Sequence, residues 1–599
     1  MRVPFRAPSR AVMGVVGGAA LLVLSLAACE RVNLSSSKGG ATETAASTPA
    51  FTAFVDTYFD SLFAFSPTQA TALGFHQYDD RVDDLSADAV TRRIATLKLL
   101  LARLDSLRSA GITAQDSVDA AMLEGTIRSE LQDKEVLQNW KHNPFGYVGV
   151  AGNTIDVLMK RNYAPAAQRL KSVTTRLHGI PPMFAAMEAN VDNPPKEFTD
   201  LAILVAAGSV DFFQHDLANW AKEAAGTDTS ALRSFTQAND SVIAVIRASV
   251  PWLKKNLLPR SKGTFVLGAK NFSDKLKYDE MLDMPLDRVL AIGEANLEKD
   301  YKAFVETAKL VAPGKSPAEA MATLQADHPS ADSLLPSANA TVARIRQFLV
   351  DHKIIDIPST AMPIVKETPV FMRTGIFAAM DTPSPYETPE GKQAFYYVTP
   401  VEKDWSAKRV EEHLRLFNRP VMDIITVHEV FPGHYVQFLY APQYPTKTRK
   451  LLYVNSNVEG WAHYGEQMMV EEGFGLGDPK IHLAQLSEAL LRDCRYVAGI
   501  KEHTQGLTVQ QASDQYFVNK CFQLPANAYE EARRGAYDPT YLYYTLGKLM
   551  IYKLRDDYRR VHGDTYSLRE FHDDFVKQGG LPIPLIRKIL LPGDTSSVL

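Results

Sequence analysis

The chain is poor in cysteine. Three residues in 599, Cys29, Cys494 and Cys521, are too few to organise a disulfide scaffold. It has no Lys/Arg tract or basic stripe, and its formal net charge of −4 argues against nucleic acid as a partner. Beyond the N-terminal leader no stretch approaches about 20 uninterrupted apolar residues, so no membrane-spanning helix is expected in the body. Internal repeats and heptad runs are missing, which sets aside solenoids and coiled coils. No nucleophile elbow, P-loop or dinucleotide fingerprint occurs in a credible context; Gly14 to Gly18 belongs to the leader.

The leader is the first thing present. Arg2, Arg6 and Arg10 form a basic region and Val12 to Leu26 an apolar one. Leu26-Ala27-Ala28-Cys29 then resembles the bacterial lipobox, which implies that Cys29 is diacylated and becomes the mature N-terminus. Residues 1–28 are therefore expected to be a signal peptide, and residues 29–50, rich in Ser, Thr, Ala and Gly, a flexible tether. Glu30 follows the cysteine where inner-membrane retention is associated with Asp, which favours the outer membrane and a periplasm-facing protein. That compartment permits a Cys494–Cys521 disulfide; their apolar helical contexts suit two buried thiols equally.

Helical patterns dominate from Phe51 on. Ser86 caps a run carrying Val90, Ile94, Leu97, Leu101 and Leu104, and Gly111 stops it. Thr113 and Asp116 open the next. Further helices are expected over about Pro165 to Leu177, Phe198 to Ala224, Ser230 to Ala248 and Leu286 to Val311, with a looser insertion beginning at Pro313 to Ser337. Thr264 to Leu267 reads as a strand, and Phe371 to Met380 with Ala394 to Val398 as a strand pair around a Pro-rich loop. The fold class is mainly α with a small β element beside the site helix. Its regions are an N-terminal helical one, 51–265, and a catalytic helical one, 266–599.

The chemistry concentrates at Ile424 to Tyr435. An apolar run delivers His428 and Glu429, Pro432-Gly433 interrupts, and His434 follows. Two His six residues apart on a regular helix would point roughly 120° apart. Pro432 cannot donate a helix hydrogen bond and Gly433 permits unusual backbone, so a kinked helix re-formed after them is expected to return His434 toward His428. Glu459 and Glu466 lie on a helix-like run farther on. Two imidazoles and a carboxylate bind Zn²⁺ while leaving a position for water, and Glu429 beside the first ligand is placed to take that water's proton.

His428-Glu429-x-x-Pro432-Gly433-His434 followed by Glu459-Gly460-Trp461-Ala462 resembles a large bacterial family catalogued as a domain of unknown function, with HExxPGH and EGWA motifs, assigned by similarity to gluzincin-type zinc metallopeptidases. Pro67 to Gly74 and Tyr544-Thr545-Leu546-Gly547 are similar to its outer patterns. The resemblance implies a large helical zincin-like fold. It also implies His428, His434 and Glu459 as zinc ligands, since EGWA resembles the segment whose Glu is the third ligand in gluzincin aminopeptidases. Family members often carry a second His where Tyr435 stands, and His463 replaces a commonly apolar position. His463 is thus a supporting or substitute ligand, and Glu466 a supporting carboxylate. Tyr544 leads the candidates for oxyanion stabiliser ahead of Tyr543, Arg495 and His503. The expected activity is zinc-dependent hydrolysis of peptides, in carboxypeptidase or oligopeptidase mode. The alternatives are an amidohydrolase acting on another amide, such as a cell-wall fragment, and a non-catalytic envelope scaffold.

Overall fold

The computed structural model describes residues 47–369, 373 and 377–599. Cys29 and the leader lie outside them, as do most of Phe371 to Ile376 at the start of the expected strand pair. Helices begin where the sequence supplies caps. Ser86 Oγ accepts the Ala89 N–H (3.2 Å) to start Ala87–Ala110, which buries Val90, Leu97 and Leu104; Gly111 ends it at φ 94°. Thr113 and Asp116 form a reciprocal capping box on Ala114–Leu131, satisfying two donors that a helix start leaves open. Several later helices are capped in the same way, among them Thr229–Trp252 by Asp228 and Pro479–Thr504 by Asp478, and the described residues from 47 on belong to one compact unit.

Two expectations fail. The stretch from Pro313 is not loose: Ser316 and Glu319 form a capping box on Pro317–Gln325, and a second helix, Leu334–His352, follows. Thr264 to Leu267 forms no strand and pairs with none among the described residues; Phe265 packs against the His503 ring instead (5.5 Å).

The sheet has three strands in the order β1 (Ile364–Glu367), β3 (Phe395–Val398), β2 (Ala378–Asp381). β1 runs parallel and β2 antiparallel to the fully buried β3. β2 is thus an edge. The Thr399 N–H donates to the Phe377 carbonyl (3.1 Å), so Phe377, Ala379 and Asp381 face β3, while the peptide groups of Ala378 and Met380 face outward.

N-terminal residues hold both the end of β2 and the loop that leaves it. Lys160 (2.8 Å) and Arg161 pair with Asp381. In the Pro-rich loop His76 Nε2 meets Glu387 Oε1 at 2.9 Å, and the rings of Phe75 and Tyr386 are 5.2 Å apart. Gly74, at φ 84°, lies so close to this loop that a Cβ would fall 2.6 Å from the Glu387 nitrogen. The pattern at Pro67 to Gly74 is therefore a docking element for the loop that leaves the edge strand.

The tightest helix contact joins Asn455–Glu471 to Tyr543–His562. A Cβ on Gly460 would meet the Gly547 Cα at 2.5 Å, and one on Gly547 would meet the Ser456 carbonyl at 1.9 Å. The glycines of the two sequence motifs face each other, and only hydrogen side chains allow that approach. It brings Glu459 and Tyr544 to one cavity.

Candidate metal centre

Asn418 caps the helix Arg419–Glu429, accepting the Val421 N–H (3.1 Å), with Pro420 in the first turn. Instead of the expected kink at Pro432, the helix stops at Glu429 and a new one, His434–Leu439, starts after a four-residue break containing a cis Phe431–Pro432 bond. The Gly433 N–H donates to the Val427 carbonyl (3.1 Å), and a Cβ on Gly433 would sit 1.7 Å from the His428 carbonyl oxygen. No other residue fits there. The Trp461 indole N–H donates to the Pro432 carbonyl (2.9 Å), so one motif pins the turn of the other.

The break returns His434 to His428, their rings 4.8 Å apart and nearly perpendicular. Glu459 Oε2 lies 3.3 Å from His428 Nε2 and 3.4 Å from His434 Nε2. Donor atoms each about 2.0–2.2 Å from one tetrahedral Zn²⁺ would be about 3.3–3.6 Å apart. Glu459 Oε2 is sealed from solvent yet receives no hydrogen bond, a costly arrangement unless a cation satisfies it. The three residues fit a metal ion.

Supporting contacts fix the first ligand. The His428 Nδ1–H donates to Glu466 Oε1 (2.6 Å), leaving Nε2 for the centre. Fully buried, Glu466 also takes His463 Nδ1 (3.2 Å) and pairs with Arg492 (3.4 Å). Burial would raise its carboxyl; Arg492 first, then the imidazoles, hold it well below the usual range. Burial opposes charge on His428, but Glu459 and Glu466 outweigh it and lift its pKa to about 9. His463 stands behind Glu466, outside the ligand set, and burial drives its pKa down to about 3.

A cavity of about 590 Å³ opens on the ligands, lined by β2, Glu429, Tyr544 and charged residues of Pro479–Thr504 and Pro525–Tyr537. Glu429 Oε2 accepts the Met380 N–H from the sheet edge (2.9 Å), and burial pushes its carboxyl above the ordinary range. The Tyr544 ring is 6.4 Å from that of His428; its oxygen accepts from Arg534 Nη2 (3.3 Å), and burial keeps the phenol protonated. Arg495 lines the same cavity, forked onto Glu531 at 2.8 and 3.0 Å. His503 does not: it is bonded to the Gly535 carbonyl (2.8 Å) beside a different cavity, because its helix turns it away from the ligands. Tyr435 donates to the Ala361 carbonyl (3.0 Å). Sequence reasoning missed Arg492 and Arg534, whose spacing carries no motif. Cys494 and Cys521 are joined as a disulfide, Cα atoms 6.6 Å apart.

A mainly helical body, a small mixed sheet and a His-His-Glu cluster with both imidazoles buried, under an edge strand, define a helical protein with a candidate metal centre. The chain belongs to a family described as bacterial protein of unknown function (DUF885), whose pattern matches residues 67–590. A solved "putative lipoprotein of unknown function" from Shewanella oneidensis is 25% identical, with a TM-score of 0.75 over 91% of this chain and 100% of that one. A "putative lipoprotein" from Colwellia psychrerythraea is 18% identical, with a TM-score of 0.77 over 90% and 98%. No curated protein matches the sequence.

Proposed function

We propose that the protein is a zinc-dependent metallopeptidase of the gluzincin type, with His428, His434 and Glu459 as ligands. The observation that carries this reading is the convergence of two imidazole nitrogens on an unbonded, sealed Glu459 oxygen, with Glu429 facing the same cavity. When bound, zinc supplies a Lewis acid that polarises the scissile carbonyl and makes water acidic near neutral pH. Glu429 takes the proton of the attacking water at its carboxylate and delivers it to the leaving amine. Because Arg534 donates to the Tyr544 oxygen, the Tyr544 proton is directed elsewhere, available to the carbonyl oxygen as it gains charge. The outward-facing peptide groups of Ala378 and the Met380 carbonyl, the Met380 N–H being taken by Glu429, suit an extended chain, which favours peptides over other amides.

Cys29 lipidation and outer-membrane anchoring facing the periplasm belong to this proposal; the names of the two structural relatives support a lipoprotein. Purified mature protein is expected to hold about one zinc per chain and to lose peptide hydrolysis on chelation, regaining it with zinc. Full activity after verified metal removal would overturn the reading.

A further inference from the structure

One wall of the cavity is made of guanidinium groups. Those of Arg495, Arg492 and Arg534 stand 5.3, 5.7 and 5.9 Å from the Tyr544 ring. Arg492 is occupied by Glu488 (2.6 Å) and Glu466. Arg495 gives Nε and Nη2 to Glu531, and Arg534 gives Nε and Nη2 to one Asp538 oxygen and Nη2 to Tyr544. Nη1 of each is left with no acceptor among the described residues, and neither is sealed from the cavity. The carboxylates of the same wall already have partners: Glu488 with Arg492, Glu531 with Arg495, Glu530 with Arg533. What the wall lacks is an anion with two oxygens.

The geometry points to a carboxylate subsite: Arg495 and Arg534 take the free C-terminal carboxylate of a peptide bound in this cavity. This deepens the peptidase reading and rests on it. An extended chain advances about 3.3–3.6 Å per residue, so the distances around Tyr544 place the carboxylate roughly one to three residues beyond the bond that is cut. Water adds across the C–N bond, hydroxyl to the acyl carbon and proton to the amine, and the released product is a short C-terminal fragment.

The test separates binding from cleavage. Zinc-loaded Glu429→Gln protein is titrated calorimetrically with a short synthetic peptide made twice, as free acid and as C-terminal carboxamide. The acid is expected to bind about tenfold tighter or more, the scale of a charge-assisted pair. Adding Arg534→Gln or Arg495→Gln should erase most of that preference with zinc content unchanged. Mass spectrometry of wild-type digests should show loss of one to three C-terminal residues from the acid only. Equal binding of acid and amide overturns the subsite, even if wild type cleaves peptides internally. A preference that survives in both folded arginine variants overturns the assignment to these residues. An acid preference without wild-type cleavage keeps the subsite and overturns the peptidase reading.

Discussion

Glu429 and Glu466 are both buried acids near His428, yet their surroundings give them different work. Glu429 faces the cavity and, among the described residues, accepts only the Met380 N–H, whereas Glu466 is spent on His428, His463 and Arg492. Glu429→Gln should keep its zinc while turnover falls by about 10²-fold or more, since an amide cannot take the water's proton. Glu466→Gln should weaken zinc binding by about 10–100-fold through the loss of a charged partner for His428. Zinc titration beside steady-state kinetics tells them apart; loss of zinc in Glu429→Gln would contradict the assignment. The donor residues could be read from the sequence because they carry the site's chemistry in their own identities. Arg492 and Arg534 could not, because arginines on a polar helix face look alike whether that face meets solvent or a cavity.

At the scale of elements, caps made the helix starts legible: Ser86 and Thr113 each begin a helix where the sequence placed one. The misjudged stretch after Pro313 carried the same signal in Ser316 and Glu319, outweighed by its polarity. The stop between His428 and His434 was harder to foresee. A kink and a clean break both use Pro and Gly, and only the close approach of Gly433 to the His428 carbonyl decides between them. The Gly460–Gly547 contact makes a related prediction. Gly547→Ala would drive a methyl into the Ser456 carbonyl, so the helices must part. A loss of about 1–3 kcal/mol in urea unfolding is expected, with weaker zinc binding because Glu459 follows its helix. Unchanged stability would mean that the helices are not held this closely.

For the whole molecule, the mainly helical class was legible from periodicity, but the link between distant parts was not. His76 and Glu387 are 311 residues apart in sequence, and no local pattern announces their contact. Burial opposes charge on His76, but Asp79 and Glu387 prevail and raise its pKa to about 9, against about 6.5 when unfolded. The folded state then binds the proton more tightly. The stabilisation is complete below about pH 6.5 and is lost as pH rises through about 9. The urea stability difference between wild type and His76→Gln should shrink across that window; a difference that grows with pH would contradict the pairing.

The Cys494–Cys521 bridge ties the helix bearing Arg492 and Arg495 to the segment that leads into the helix bearing Arg534. It closes a stretch with a sequence separation of 27, a constraint of about 3–4 kcal/mol in chain entropy. None of the proposed zinc ligands lies within that stretch. On the peptidase reading, the compartment of synthesis therefore enters the choice of substrate. Protein made in a reducing cytosol would carry its metal and still lack the crosslink that sets its arginines, so two preparations of one sequence would agree in zinc content and differ in KM.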